Sequence, residues 1–388
     1  MTNDLDRDLR DTFNRHEQDM LGRRPTPAPN MFQRVRRRQT GTVLMAAFAA
    51  AAIAIAGISG LDAIRASEQT PASSGPAPTA SGPFTSIQEQ LGEQAVRDLF
   101  EVQTEDPQYW RLYTLDVFDG EEWRSSDPDG SVGGQSVAVP AVLPQAPAYR
   151  FPPDTQTKPY TFRVLNDFDA AYALPMAQAP VELSAGDLGD ITWDPSRAQA
   201  FIDGGLEAGM EYTVRSRIVV PTPEELDQVN HLAPQAYGQW TELPADLDPR
   251  IGAIAERWTA DDATSDYRKV LAIQQHFHSR GFVYSTAVEP ADDADALLEF
   301  LTQTKTGFCQ QYATAMAVLV RELGIPVRVA VGYQTGTLQD DGTYLVLSKD
   351  AHAWVEVFFE GYGWLQFKPT PGRGTHPNAQ AGTYLNPG

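Results

Sequence analysis

The chain has 388 residues, and its 30 Lys and Arg against 51 Asp and Glu give a formal net charge of −21. So acidic a surface repels phosphate, which argues against nucleic acid as a partner. A hydrophobic fraction of 42% with 10% aromatic residues excludes a wholly disordered chain, and the length allows two domains.

Charge is distributed unevenly near the N-terminus. The first 38 residues carry nine Lys or Arg and six Asp or Glu, whereas residues 40–61 carry no charged side chain. At about 1.5 Å per residue, an apolar helix of this length spans about 33 Å, which is enough to cross a bilayer. The sequence therefore predicts a single transmembrane helix over residues 39–61. A buried Ala-rich helix and a cleaved signal peptide are the alternatives, and the long polar leader disfavours cleavage.

The residues flanking this segment predict its orientation. Four arginines precede it, at positions 34 and 36–38, whereas charges of both signs follow it. Because positive flanks stay on the cytoplasmic side, we expect residues 1–38 in the cytoplasm and the rest of the chain outside the cell membrane. Residues 62–84 are rich in Pro, Ser and Ala and cannot bury enough apolar surface to fold, so a linker is expected there.

Alternation of bulky and polar residues predicts strands after the linker. The stretch YWRLYTLDVFDGEEW, which starts at Tyr109, alternates in this way, and YTFRVL and EYTVRSRIVV repeat the pattern. We therefore expect residues 85–235 to form a β-rich extracytoplasmic domain without a long helix. Apolar residues at helical spacing follow, so residues 236–372 are expected to form a second domain and residues 373–388 a C-terminal tail.

The chain contains one cysteine, Cys309, which cannot form an intramolecular disulfide. It stands in TKTGFCQQYATAMAVLVRELGIP, where the apolar spacing predicts a helix that begins next to Cys309 and ends at Gly324 and Pro326. Backbone N–H groups and the helix dipole stabilise an anion at a helix N-terminus, which predicts a thiol pKa below the free value of about 8.5. This pattern favours a nucleophile, although a lone cysteine is more commonly a small buried hydrophobe.

Strand patterns follow the cysteine helix. VRVAVGY and YLVLS read as strands, and SKDAHAWVEVFFEGYGWLQFKPTPG places His352 at the head of a strand that turns back into another. If this antiparallel sheet packs on the helix, His352 can approach Cys309 and accept its proton. Spacing alone does not establish that approach.

Three of these segments resemble one family. GFCQQYATAMAVLVRELGIPVRVAVGY, DAHAWVEVFF and GWLQFKPTPG are similar, in this order, to the core motifs of bacterial transglutaminase-like membrane proteins of the TgpA type, and YWRLYTLDVFDGEEW resembles the start of their exported region. The similarity extends over residues 85–372. It implies an α+β fold with a papain-like transglutaminase core over residues 236–372, in which the nucleophile helix packs on an antiparallel sheet. It also implies Cys309 as the nucleophile and His352 as the general base.

The sequence departs from this family pattern at the third catalytic position. Lys368 stands in Lys-Pro-Thr, where the family usually has Asp or Glu. An ammonium group has no acceptor for the imidazole N–H, and its charge disfavours imidazolium. Three explanations remain open: Asp350 or Glu356 substitutes as the acid, the enzyme works as a weakened Cys and His dyad, or catalysis is lost.

Other residues contribute weaker expectations. Gln303, six residues before the cysteine, has the spacing of the oxyanion-hole Gln in papain-like proteases, although a loop Gln is usually only solvated. Trp354, Trp364 and Tyr333 line an acyl-binding groove in one interpretation and are core aromatics in the other. No cofactor and no metal site is predicted, because phosphate loops and Zn clusters are absent from the sequence.

The sequence therefore predicts a membrane-anchored cysteine acyltransferase, amidohydrolase or peptidase. Through a Cys309 thioester it would act on Gln side-chain amides or on peptide bonds. The expected partners are protein or peptide substrates, cell-wall peptides among them, and the membrane through one helix. The competing interpretation is a catalytically impaired envelope module that binds peptide or cell-wall material, because Lys368 replaces the expected acid.

Overall fold

The computed structural model describes residues 96–373, except for 128–133, 147–150, 152–154, 168–172, 187, 203–204, 230–236, 262–263, 280 and 289–294. The cytoplasmic segment, the transmembrane helix, the linker and all of the predicted tail except Arg373 therefore lie outside the described residues. Among the helices that are described, none combines the length and the apolar character needed to cross a membrane.

Strands dominate the described part of the chain. In chain order they are β1 (Asp98–Gln103), β2 (Trp110–Leu115), β3 (Val117–Phe118), β4 (Trp123–Arg124), β5 (Gln135–Val137), β6 (Ala141–Val142), β7 (Thr157–Val164), β8 (Pro180–Ala185), β9 (Ile191–Asp194), β10 (Gln199–Ile202), β11 (Glu211–Arg217), β12 (Val283–Tyr284), β13 (Thr306–Gly307), β14 (Val327–Tyr333), β15 (Thr337–Leu338), β16 (Thr343–Leu347), β17 (Ala351–Phe359) and β18 (Gly363–Phe367).

The helices lie mainly in the second half. The α-helices are α1 (Pro223–Asp227), α2 (Pro249–Thr259), α3 (Asp266–Ser279), α4 (Ala296–Glu299) and α5 (Cys309–Glu322). Short 3₁₀ turns cover Gly238–Trp240 and Ser348–Asp350, and a π-helical turn covers Phe300–Thr304.

Two sheets organise the described residues, and both draw strands from each half. The order β18-β17-β14-β2 forms a four-stranded antiparallel sheet, and the order β15-β16-β1-β7-β11-β8-β6 forms a seven-stranded one. The early strand β2 pairs with β14, and the late strand β16 pairs with β1. The described residues between 96 and 229 are rich in strands, and both sheets contain strands from before and after the domain boundary predicted at residue 235.

Helix α5 packs against β14 and β17 on one side and against α2 and α3 on the other. The sequence predicts one apolar face, but the helix is buried on nearly all sides because it lies between the sheet and those two helices. Its C-terminus closes as predicted: Gly324 has a φ of +72°, the Ile325 N–H donates to the Val320 carbonyl at 3.2 Å and the Gly324 N–H donates to the Arg321 carbonyl at 2.8 Å.

Candidate active site

The chain segment before α5 fixes the position of Cys309. Strands β12 and β13 pair in parallel, and the Ser285 N–H donates to the Gly307 carbonyl at 2.8 Å. Phe308 is extended, and its N–H donates to the Gln311 side-chain oxygen at 3.0 Å. A Cβ at Gly307 would lie only 3.0 Å from the Cβ of Gln311, so the close approach favours glycine there. Cys309 therefore becomes the first residue of α5.

The thiol of Cys309 is fully buried. Burial raises the pKa of the Cys309 thiol to about 11, although backbone N–H groups of Ala353 and Gln310 and the charge of Arg373 act in the opposite direction. The lowered thiol pKa expected from the helix N-terminus is therefore wrong for this structure. Desolvation of the thiolate outweighs the stabilisation that the helix terminus supplies.

His352 is also fully buried, at the second residue of β17 opposite Gly332. Its ring lies 5.5 Å from the ring of Tyr109, nearly edge to face, and 6.3 Å from the ring of Trp354. Neither ring nitrogen has a hydrogen-bond partner among the described residues. Burial, together with the charges of Arg373 and Lys368, holds the pKa of His352 well below its usual range, so the imidazole is neutral.

The structure brings Cys309 to the backbone beside His352. The backbone N–H of Ala353, in the peptide group that links this residue to His352, is close enough to the thiol of Cys309 to lower its pKa. Strand β18 pairs with β17 only as far as Val355, so it ends before it reaches Ala353. The expected packing of the cysteine helix on the strand that carries the histidine is confirmed.

Lys368 directly follows β18, and its backbone is held by α3. Its N–H donates to the Gln274 side-chain oxygen at 2.7 Å, and its carbonyl accepts from the ring of His278 at 2.8 Å. Burial and the charge of Arg373 lower the pKa of Lys368 to about 8. Because its charge also lowers the pKa of His352, the site places a cation where the family pattern has an acid.

The two candidate substitute acids have other partners. An Asp350 carboxylate oxygen accepts from the Leu347 N–H at 2.9 Å, and burial raises the pKa of that carboxyl. Glu356 is fully buried and pairs with Arg328 at 2.6 Å and with Arg111 at 3.2 Å. Neither carboxylate accepts a hydrogen bond from His352 in the described structure.

Comparisons with known proteins agree with this architecture. The model of the TgpA N-terminal domain family matches residues 9–223, more than half of the chain, and that of the transglutaminase-like superfamily matches residues 253–369. The chain belongs to the TgpA-type branch of the transglutaminase-like superfamily. The match over 253–369 contains Cys309, His352 and Lys368.

Individual relatives support the same TgpA-type assignment. A protein-glutamine gamma-glutamyltransferase of Pseudomonas aeruginosa is 30% identical over 273 residues, which are 68% of this chain and 35% of the relative. The uncharacterized protein YebA of Bacillus subtilis is 36% identical over 141 residues, 34% of this chain and 19% of the relative. The chain thus spans about a third or less of the length of these two relatives.

Solved structures show the TgpA-type fold. The periplasmic domain of TgpA from Pseudomonas aeruginosa superposes with a TM-score of 0.56 at 27% identity, covering 73% of this chain and 90% of that one. The same domain bound to ethylmercury gives a TM-score of 0.54 at 26% identity, covering 74% and 94%. The predicted transglutaminase-like core is therefore confirmed.

The weaker candidates of the TgpA-type site separate in the structure. Gln303 lies in the π-helical turn, is exposed and has no hydrogen bond to Cys309. Trp354 packs with Tyr109 beside His352, whereas Trp364 stacks on the Arg328 guanidinium at 4.2 Å. Tyr333 packs against the ring of Phe100 at 5.5 Å. Of these three aromatics, the described contacts place only Trp354 beside the histidine.

Sequence reasoning missed Arg373. Its Nη2 donates to the Lys349 carbonyl at 2.6 Å, and its guanidinium lies 5.4 Å from the ring of Tyr284. Tyr284 is paired with Gly307 beside the cysteine, and Lys349 shortly precedes His352. Arg373 therefore connects the two walls of the site, and its charge acts on both Cys309 and His352. Its position shortly after the Lys-Pro-Thr motif was the one available signal.

Within the described residues, no group of three or more His, Cys, Asp and Glu side chains is arranged to hold a metal ion.

Proposed function

We propose that this protein is a cysteine acyltransferase or amidohydrolase that works through a Cys309 thioester without a third acidic residue. The observation that carries the proposal is the buried sulfur at the N-terminus of α5, next to the peptide group of His352. The relative named protein-glutamine gamma-glutamyltransferase supports the carboxamide of a Gln side chain as the acyl donor. A peptide carbonyl is the second substrate that the same chemistry accepts.

The first half-reaction starts from neutral partners. The Cys309 sulfur attacks the carboxamide carbon while its proton passes to His352, which gives a tetrahedral oxyanion and an imidazolium. Backbone N–H groups of Cys309 and Gln310, at the start of α5, are the available donors to that oxyanion. Collapse breaks the carbon–nitrogen bond, the imidazolium gives its proton to the leaving nitrogen, and ammonia departs.

The second half-reaction consumes the thioester. Water or a primary amine gives a proton to His352 and attacks the acyl carbon, and the sulfur leaves as a thiol once that proton returns to it. Water yields the carboxylate, and an amine yields a cross-linked amide. Transfer to an amine requires exclusion of water, and the full burial of Cys309 and His352 in this structure favours such a site.

The proposal includes the location of the reaction. Residues 39–61 anchor the chain in the cell membrane as a single span, residues 1–38 lie in the cytoplasm, and the catalytic region lies outside. The uncharged stretch and the arginines before it support this topology, as does the periplasmic location of the TgpA domain from Pseudomonas aeruginosa. Protein and peptide substrates of the envelope, including cell-wall peptides, are then within reach.

The replacement at Lys368 favours a second candidate function. With a cation in the acid's position and no acceptor for the His352 ring among the described residues, the protein would bind a peptide near Cys309 without converting it. In this candidate the protein is an envelope binding module.

Ammonia release distinguishes the two candidates. Full-length chain in detergent micelles is incubated with an N-blocked Gln-Gly peptide, with and without a primary amine, and Cys309→Ser is the matched control. We expect ammonia from the native chain only, and an acyl adduct on Cys309 by mass spectrometry of acid-quenched samples. Equal ammonia from both chains, or none from either together with saturable binding of the peptide, would reject the enzyme in favour of the binding module.

A further inference from the structure

The candidate catalytic pair is enclosed in this structure. Cys309 and His352 are both fully buried, whereas an acyl donor or a thiol reagent needs a path to the sulfur. The chain that follows β18 returns to this site. It is fully buried at Thr370 and then turns at Gly372, which is exposed and has a φ of +68°. The turn leads directly to Arg373.

Arg373 links the two chain segments that carry the pair. Its Nη2 donates to the Lys349 carbonyl at 2.6 Å, in the 3₁₀ turn that immediately precedes β17. Its guanidinium lies 5.4 Å from the ring of Tyr284. Tyr284 pairs with Gly307, just before α5 begins. One side chain therefore spans from the histidine segment to the cysteine segment.

This side chain lies at the boundary between solvent and the enclosed site. The hydrogen bond of the Arg373 Nη2 is exposed, whereas the Nε is buried and has no hydrogen-bond partner among the described residues. Its charge lowers the pKa of four groups around the sulfur, namely Cys309, His352, Tyr109 and Tyr284. One part of the side chain thus belongs to the surface and another to the catalytic centre.

The contacts that hold Arg373 in place are weak enough to break. An exposed hydrogen bond and a cation–π contact near the surface each shift an equilibrium by about three- to tenfold. The buried Nε acts against closure, because a buried donor without an acceptor is destabilising. Together these contacts favour the closed arrangement by at most about a hundredfold, so an open form is regularly populated.

We propose that Arg373 is a latch over the active-site thiol. In the closed form its guanidinium spans the entrance between Tyr284 and Lys349. In the open form the turn at Gly372 rotates outward with the arginine and exposes Cys309. Acyl donors and thiol reagents reach the sulfur only in the open form. This gating goes beyond the proposed acyl transfer and does not depend on it, because it concerns access to the thiol whether or not turnover follows.

Alkylation of the full-length chain by iodoacetamide tests the latch, because Cys309 is the only cysteine. The second-order rate constant is measured at pH 8 in detergent micelles by intact mass spectrometry. In Arg373→Gln the two effects have opposite signs. Loss of the cation raises the thiol pKa and by itself would slow alkylation by about three- to tenfold, whereas loss of the latch exposes the sulfur. We expect exposure to dominate, with a net increase of about tenfold.

Gly372→Ala tests the same latch without a change of charge. Alanine is strained at a φ of +68°, and its Cβ would meet no atom within 4 Å, so the substitution weakens the turn that places Arg373 without adding a clash. We expect alkylation to become about fivefold faster. Gly342→Ala is the matched control, because this exposed glycine has a φ of +85° and equal free space in the hairpin between β15 and β16. It should leave the rate unchanged, and thermal melting checks that each variant is folded.

Two results would overturn the proposal. A folded Arg373→Gln chain that is alkylated no faster than the native chain would show that the cation acts on the thiol only through its pKa. Equal rates in folded Gly372→Ala and Gly342→Ala chains would show that the turn does not control access. Ammonia release is not used in this test, so a chain without turnover would give the same readout.

Discussion

Replacing Lys368 by Asp is expected to raise kcat for ammonia release by about 10²- to 10⁴-fold. The substitution removes an ammonium whose charge lowers the pKa of His352, and it offers an acceptor to an imidazole that has none in the described structure. The upper value equals the loss when the acid of a Ser-His-Asp triad is neutralised, about 10⁴ in kcat. The lower value applies if the rings of Tyr109 and Trp354 already hold the imidazole in place.

The surroundings of Lys368 make this test specific to its side chain. Its N–H and carbonyl are bonded to Gln274 and His278, so a new side chain leaves the end of β18 attached to α3. Lys368→Met is the matched control, because it removes the cation without adding an acceptor. We expect Met to give a smaller gain than Asp, with the acidic limb of the pH–rate profile moving to higher pH in both variants and further in the Asp variant.

Steady-state ammonia release from pH 5 to 9 provides the measurement, with thermal melting as a check on folding. If a folded Lys368→Asp chain is no faster than Lys368→Met, the reasoning that a missing acceptor limits this site is refuted. The orienting role would then belong to another group, or the substrate itself would supply the acceptor.

Three further predictions concern charge and packing. Arg373→Gln should move the midpoint of the pH–alkylation profile of the thiol upward by about half a unit to one unit, because this cation lowers the thiol pKa; a downward shift would contradict that. Burial holds the pKa of His352 well below its usual range, so the unfolded state binds more protons than the folded state below about pH 6.5. The free energy of unfolding should therefore fall by up to about 1.4 kcal/mol for each pH unit by which the pH is lowered below that value. His352→Gln should flatten that dependence in a melting series, and an equally steep variant would place the protons elsewhere. Gly332→Ala should cost about 3 kcal/mol in urea unfolding, since the new Cβ would overlap the Trp110 carbonyl oxygen, whereas Gly186→Ala, which meets no atom within 4 Å, should be nearly neutral.

Local patterns predicted the elements of the site well. The Gly that ends α5, the helix after Cys309 and the strand that begins beside His352 each follow from spacing and turn chemistry within about fifteen residues. The resemblance then supplied the pairing of helix and sheet. These sequence signals are local. The apolar residues that the periodicity identifies in the helix and the strand are also the residues that are buried in the structure.

Local sequence patterns do not predict which distant strands pair with each other. Strand β2 reads as part of the early β-rich region, but it pairs with β14 some 220 residues later. An alternating pattern of bulky and polar residues does not identify the partner strand, because it indicates only which face of the strand is buried. The boundary predicted at residue 235 was based on a change in composition along the sequence. The pairing of strands in the sheets depends instead on contacts between residues that are far apart in the sequence.

The electrostatic state of the thiol was predicted with the wrong sign for a related reason. A helix N-terminus is visible in sequence and favours a thiolate, but the degree of burial is set by distant side chains. Arg373 is a distant contribution of the opposite sign: it lies 64 residues after Cys309, and only the fold brings its charge close enough to lower the thiol pKa. Glu356 was a plausible substitute acid until the two arginines that hold it were known.

The charges at the site determine the form in which the reaction must begin. In a thiolate and imidazolium pair, a nearby acid stabilises the charged histidine; here Lys368 and Arg373 both oppose it, and burial opposes both ions. The resting pair is then a neutral thiol and a neutral imidazole. In the proposed reaction, proton transfer then has to accompany attack on the acyl carbon, because a separate thiolate and imidazolium are both disfavoured in the buried site. Arg373 lowers the pKa of both Cys309 and His352, so its charge favours the anion and opposes the imidazolium that form in the proposed step, and its net effect on that step is the difference between the two.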